Sequence, residues 1–382
     1  MKEGYKLLGG FIRQVDIRNV EGKEDNLLGL SVSKQFIPSI ANTFGTDFTK
    51  YKVVKKGQFT YIPDTSRRGE KIAIALLQDY DEGLVSNVYT VFEVVDTNEL
   101  LPEYLMLWFS RPEFDRYARF KSHGSVREVM DWDELCKVEL PVPEIEEQKK
   151  IVKAYKTITD RIELKKRIND NLEAQALALY KNLMSMEDDT WTKGKLEDII
   201  SSANTGGDAI QKVPIVDYNT GIKCARVGDI TNSREYASWS YCKATKAVFE
   251  NYKLQAGDIL VTRTATLGIT QFVPNNISAV YNNGLIRLKT NTAKALPLFV
   301  YWTLNTTDFM GYINQINSAT SVRPNMKIEY LLDYKLSIPP LEHQKRFVKK
   351  VESVRSTIAL NNEEILRLTD LQTIVSANLS SR

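Results

Sequence analysis

The side chains best able to do chemistry in this chain are cations and hydroxyls, and they gather in two stretches. In the first, Lys50, Lys52, Lys55, Lys56, Arg67, Arg68 and Lys71 fall within 22 residues, interleaved with Tyr51, Phe59 and Tyr61, and the loop YIPDTSRRGEK adds Thr65 and Ser66. In the second, VTRTATLG sets Arg263 among Thr262, Thr264 and Thr266. Lysine and arginine neutralise phosphates, arginine can grip guanine O6 and N7 with two bonds, and hydroxyls serve bases or phosphates alike. Base contact, phosphate contact and a merely solvated face are all open readings for each of these residues. The whole chain is nearly balanced, with 51 Lys and Arg against 48 Asp and Glu and a net charge of +3. Any grip on a polyanion must therefore be local.

Other chemistry finds little support. His123 and His343 are the two histidines, and His343 takes the place that Glu147 holds in a matching segment, so a His-based triad or metal cluster is not expected. The three cysteines, Cys136, Cys224 and Cys242, are too scattered for a disulfide frame or a zinc site and read as small buried hydrophobes in a reducing cytoplasm. No GxxxxGK[ST] or strand-linked GxGxxG is present, and Gly9-Gly10 and Gly206-Gly207 read as turn glycines. Pro63-Asp64 and the Glu147-Gln148-Lys149 triplet lie too far apart to make a nuclease core, and IPPL lacks the flanking residues of an amino-methyltransferase motif. No apolar run approaches 18 residues and the start, MKEGYKLLGG, has no h-region, so neither a membrane span nor a secretory signal is expected.

The elements that must carry these loops are announced by a repeat. VELPVPEIEEQKKIV, from Val138 to Val152, returns as YKLSIPPLEHQKRFV from Tyr334 to Val348, which places Gln148 and Gln344 196 residues apart. SVREVMDWDEL from Ser125 lines up with SVRPNMKIEYL from Ser321, Leu101-Pro102 with Leu296-Pro297, and YKVVKKG ending at Gly57 with YKLQAGD around Gly257. Two copies of one mixed unit, each followed by a long helix, are therefore expected. The β runs fall at 72–78, 89–95, 258–264 and 269–273, and amphipathic helices close the units near 102–119 and 297–316.

The long helices show a heptad seam. Ile151, Tyr155, Ile158, Ile162, Leu172, Leu179 and Leu183 are answered by Phe347, Val351, Val354, Ile358, Ile365, Leu368, Val375 and Leu379. Neither stretch has an internal Pro or Gly, and Glu146, Glu147 and Glu342 sit in the first turns where the helix dipole favours them. About 40 residues at 1.5 Å rise give a rod of roughly 60 Å. Lys165 and Asn361 put polar residues at one core level of both seams. Either the lysine stem snorkels and the asparagine is exposed, or the pair fixes register.

The doubled [L/I]-x-[V/I]-P-x-[I/L]-E-x-Q-K-[K/R]-x-V segment before a long helix, with a GDILVTR-type strand upstream, resembles the specificity subunit of type I DNA restriction-modification systems. The resemblance covers essentially the whole chain. LPVPEIEEQK departs from the family in having Glu144 where a second proline is usual, and TATLG after Arg263 lacks the early glycine the family often has. The resemblance implies an α+β fold with two pseudo-twofold-related mixed α/β target recognition domains, separated by two long antiparallel coiled-coil helices. The segments would be 1–143 and 187–338 for the domains and 144–186 and 339–382 for the helices. It also implies double-stranded DNA as ligand, two methyltransferase subunits and restriction/translocase subunits as partners, and no membrane.

S-adenosylmethionine, ATP and Mg would belong to those partners, with no cofactor and no catalysis in this chain. Arg127, Thr320, Ser321 and Arg323 in the paired SVR segments join the candidate DNA-binding residues. Unlike loops in the two copies imply two unlike half-sites, with the rods as a ruler across the roughly 34 Å of one DNA turn. A coiled-coil adaptor that binds proteins, an enzyme with an unrecognised site, and a relative with a fused methyltransferase-nuclease partner are the alternative readings.

Overall fold

The computed structural model describes residues 4–40, 43–64, 71–122, 129–232, 235–318 and 325–379. The chain forms two units, Met1–Leu164 with Ile365–Arg382, and Lys165–Glu364.

The first unit is built on a four-stranded antiparallel sheet of β1 (Ile12–Val15), β2 (Phe59–Tyr61), β3 (Ile74–Leu76) and β4 (Thr90–Val94), in the order β1-β4-β2-β3. Three helices follow: α1 (Pro102–Phe109), α2 (Pro112–Lys121) and α3 (Trp132–Cys136). The single helix expected near 102–119 is thus two, because Pro112 cannot donate to the preceding turn and restarts the chain as the first residue of α2. Phe59 stacks on Phe92 at 4.9 Å and Phe109 meets Phe59 edge-on at 5.8 Å, which locks α1 onto the sheet.

The second unit repeats this plan with β5 (Ile200–Thr205), β6 (Ile259–Thr262), β7 (Thr270–Phe272) and β8 (Leu285–Thr290), in the order β5-β8-β6-β7. Its helices are α5 (Pro297–Thr303), α6 (Thr307–Ser318) and α7 (Ile328–Leu332), numbered after the long α4 (Ile145–Met184). Here the break between α5 and α6 is made without proline. The Thr306 hydroxyl accepts from Phe309 N–H at 3.2 Å, and the Asn305 amide donates to Tyr301 O at 2.7 Å. The turn ahead of each second sheet strand is also repeated. Gly57 and Gly257 lie at φ +83° and +86°, a conformation that a Cβ would strain, and donate to Leu77 O and Val273 O.

What differs between the units is inserted at the same two points of this frame. Between β1 and β2, and between β3 and β4, the first unit adds the strand pairs Leu28–Leu30 with Phe36–Pro38 and Lys52–Lys55 with Glu82–Val85. At the corresponding points the second adds a four-stranded sheet of Ile215–Val216, Tyr241–Cys242, Lys223–Ala225 and Ala279–Tyr281. Cys224 and Cys242 are buried beside Val213 and Val280 in this sheet.

Helices α4 and α8 (Leu341–Asn378) contribute to both units. In the first, the Gln372 amide donates to Thr159 Oγ1 at 2.7 Å, and Ile151, Tyr155 and Leu379 join the core of the sheet. In the second, Tyr180 meets Phe347 edge-on at 5.9 Å while Lys165 reaches Asn361 at 2.8 Å. Residue numbers rise along one helix as they fall along the other, so the pairing is antiparallel in each unit.

The seam keeps the expected phase and gains members. Asn169, Ala176 and Leu183 continue the buried line from Ile162 at seven-residue intervals, Leu172 and Leu179 are half-buried, and Tyr180, outside that spacing, is buried as well. Ile162, Phe347 and Val351 are buried, while Ile151, Tyr155, Ile158, Val354, Ile358, Ile365 and Leu368 are half-buried. Asn361 is buried, which overturns the exposed reading of that residue.

The repeated glutamine has a structural reason. Gln148 is fully buried; its Oε1 accepts from Leu101 N–H at 2.9 Å, and its amide donates to Glu99 O at 2.7 Å and Pro143 O at 2.8 Å. Gln344 does the same with Leu296 N–H at 2.7 Å, Lys294 O at 3.3 Å and Pro339 O at 2.8 Å. Each glutamine thereby ties the first turn of a long helix to the loop that opens α1 or α5. The arrangement satisfies backbone groups that burial would otherwise leave unpaired.

Candidate nucleic-acid interface

In both units the loop after the second sheet strand is laid against the segment that precedes the third helix. Asp64 bridges Val129 and Met130 N–H donates to Pro63 O at 3.0 Å in the first unit. Thr264 bridges Asn325 and Met326 N–H donates to Arg263 O at 2.8 Å in the second. The fold thus brings together the flanks of two features that lie far apart in the sequence, the cationic loop and the SVR segment. Thr65, Ser66, Arg67, Arg68, Arg127, Thr320, Ser321 and Arg323 themselves lie outside the described residues.

The loop from β6 to β7 is described in full. Thr262 closes it, with its N–H on Ile269 O, its carbonyl accepting from Gly268 and its hydroxyl accepting from Ile269 N–H, each at 2.9 Å. Thr262 is fully buried, so it is a framework residue rather than the expected DNA contact. Ala265 lies at φ +61° and Gly268 at φ +80°, and the turn they make exposes Ala265 and Thr266. Thr264 is half-buried. Arg263 donates from Nε to Met326 O at 3.1 Å and from Nη1 to Asn283 O at 3.2 Å. Two of its five donors therefore hold three loops together, and the guanidinium is oriented before any ligand arrives.

The cations of the first unit are distributed over separate elements. Lys71 is exposed and borders the loop after β2, whereas Lys52 and Lys55 lie on an inserted strand with Lys50 before it and Lys56 after it. Lys50 stands 3.4 Å from Asp47 and Lys56 4.0 Å from Asp81, both exposed pairs of small energetic weight. Lys52 is half-buried, donates to Tyr89 O at 2.8 Å and lies 3.8 Å from Asp16. Burial pushes its pKa below the ordinary lysine value, against the pull of Asp16. Tyr61 is 1% exposed and packs on Phe92, so it too is core and not interface, and burial raises its phenol.

Sequence reasoning missed several charged residues. Lys34, between the inserted strands, pairs with Asp115 of α2 at 2.9 Å and also meets Phe109 O, pinning the insert to the frame. Burial lowers its pKa while Asp115 opposes the shift. In the second insert Lys223 is nearly buried, bonded to Tyr236 O at 3.1 Å and to Ala237 O, with the Tyr236 and Tyr241 rings at 5.0 and 5.3 Å. Exposed Lys212, Lys243 and Lys246 lie in the same insert. The signal for Lys243 and Lys246 was the YCKATKAVFENYK stretch, where cations and aromatics interleave as they do around Lys50. Among the described residues no group of His, Cys, Asp or Glu could hold a metal ion, and no helix is long and apolar enough to cross a membrane.

Comparison with known proteins agrees with this organisation. The chain is 31% identical over 133 residues to the type I restriction enzyme HindI specificity subunit of Haemophilus influenzae, covering 34% of this chain and 28% of that protein. It is 35% identical over 89 residues to the MjaIX specificity subunit of Methanocaldococcus jannaschii, covering 23% of this chain and 21% of that protein. The aligned part therefore spans less than a third of either relative. The crystal structure of a type I restriction-modification S subunit from M. genitalium superposes with a TM-score of 0.60 at 12% identity, over 98% of this chain and 95% of that one, which shows a shared fold. Residues 17–174 and 188–370 both match the family model described as the type I restriction modification DNA specificity domain. With one frame built twice and both copies matched, the chain belongs to that family.

Proposed function

We propose that this chain reads an asymmetric, bipartite double-stranded DNA target and holds the modification and restriction subunits of a type I complex in place around it. The observation that carries the reading is the contrast between a frame repeated strand for strand and inserts that differ in strand number and pairing. Constant parts suit constant partners; unlike parts suit unlike half-sites. Lys71, the exposed Lys50, Lys55 and Lys56, Arg263, and the Ala265–Thr266 tip with Thr264 are the described residues assigned to DNA, with Lys52 at the edge of the first group. The arginines and hydroxyls named above as lying outside the described residues complete the two sets. Catalysis, S-adenosylmethionine, ATP and Mg are assigned to the partners, and the complex to the cytoplasm.

The test is DNA binding by the full chain with its methyltransferase subunits across a salt series. About six phosphate contacts would lower affinity roughly 10³-fold between 50 and 200 mM salt. Binding that ignores salt, or none at all, favours the protein-binding adaptor instead.

Arg263→Ala is expected to cost about 1–3 kcal/mol on targets with an intact second half-site and little on targets already altered there. Competition binding with half-site variants measures this. An equal loss on every DNA would reassign Arg263 to the phosphate backbone.

A further inference from the structure

The polar level of the helix seam continues out of the seam. Lys165 Nζ donates to Asn361 Oδ1 at 2.8 Å and pairs with Glu364 at 2.9 Å. The buried Asn361 amide donates to Asn169 Oδ1 at 2.7 Å, and the Asn169 amide donates in turn to Asn362 Oδ1 at 2.8 Å. Finally the Asn362 amide donates to Glu235 Oε1 at 2.8 Å.

Register control alone would need only the contacts between the helices. The last bond leaves them and enters the second insert, where Glu235 opens the Tyr236–Ser238 turn. Lys223 of the inserted sheet holds that turn from the other side through the carbonyls of Tyr236 and Ala237. The result is a continuous polar linkage from the helix seam to a strand of the insert.

Nor is this a feature of the repeat. At the repeat offset, Asn169 corresponds to Ile365 and Asn362 to Lys166, and the Glu235 turn lies in an insert built on a sheet that the first unit lacks. The linkage follows the unlike part of the chain. A buried amide that bonds in series is costly when broken, because each member leaves its neighbour unpaired.

We propose that the series from Asn361 through Asn169 and Asn362 to Glu235 is a joint that positions the second insert on the helix pair, and so sets where the second half-site is read. The second clause rests on the DNA-reading function proposed above; the first does not.

Hydrogen–deuterium exchange of the full chain tests the joint. Asn362→Asp removes the donor and sets two carboxylates face to face. Exchange at the Ser238 and Trp239 amides is expected to rise about tenfold, with β6 and β8 unchanged. Adding Glu235→Gln supplies an amide that can donate to the carboxylate introduced by Asn362→Asp, and should return exchange to within about twofold of the parent. Unchanged exchange in the single variant, or no rescue in the double, overturns the joint. Should Asn362→Asp loosen β6 and β8 as well, Glu235→Ala, which leaves the seam intact, must still raise exchange at Ser238 and Trp239; if it does not, the joint is wrong.

Methylation mapping in cells carrying the chain and its partners tests the consequence. Asn362→Asp should methylate sites whose gap differs by one base pair from the parent, and the double variant should not. A loosened turn with an unchanged map would overturn the role in half-site placement. A parent map without a bipartite target would overturn the proposed function and leave the exchange result standing.

Discussion

Replacing Gln148 or Gln344 with leucine is expected to cost about 3–5 kcal/mol. Leucine fills much the same space but leaves one backbone N–H and two carbonyls in each junction without partners, at about 1–3 kcal/mol for each group that water cannot reach. The two losses should be local. Gln148→Leu should raise hydrogen exchange in β4 and spare β8, and Gln344→Leu should do the reverse, because each clamp belongs to a different unit. Exchange that rises equally in both strands for either variant would mean that the glutamines do not act as separate clamps.

Deleting four residues between Arg161 and Leu172 is expected to change the number of unread base pairs while both half-sequences stay as they are. Four residues are about one helical turn and about 6 Å of rise, close to two base-pair steps. Such a deletion also removes or shifts part of the polar level, since Lys165 and Asn169 must both meet Asn361. The deletion should therefore cost stability as well as spacing. A methylation map with altered base identities and an unaltered gap would contradict the ruler.

The frame was legible because physical necessity keeps its letters fixed. A buried glutamine that satisfies three backbone groups has few substitutes, so both copies retain it and the repeat stands out around it. The β runs were legible for a similar reason: each strand core fell inside its expected span, at Ile74–Leu76, Thr90–Val94, Ile259–Thr262 and Thr270–Phe272.

Facing was harder to read than position. Tyr61 and Thr262 carry polar atoms and sit beside cationic loops, yet every residue of β2 and β6 is buried. A strand covered on both faces does not alternate, and the polar ends of Tyr and Thr gave no warning. The seam left out Tyr180 for a related reason. QALALYKNL offers apolar residues beside the seam as well as on it, and Tyr180 is buried off the seam, where its hydroxyl finds Thr303 Oγ1 at 3.0 Å. The inserts were hardest, since strands of two to four residues hold too few positions for any period to show. They are also the parts to which DNA reading is assigned. The sequence was therefore least informative where the two units must differ.

A genome-wide map of methylated adenines, in cells expressing this chain with its methyltransferase partners, tests DNA reading most directly. Two unlike half-sequences at one fixed gap, lost when the chain is removed, is the expected result. A single uninterrupted site, two identical half-sites, or methylation that persists without the chain would contradict it.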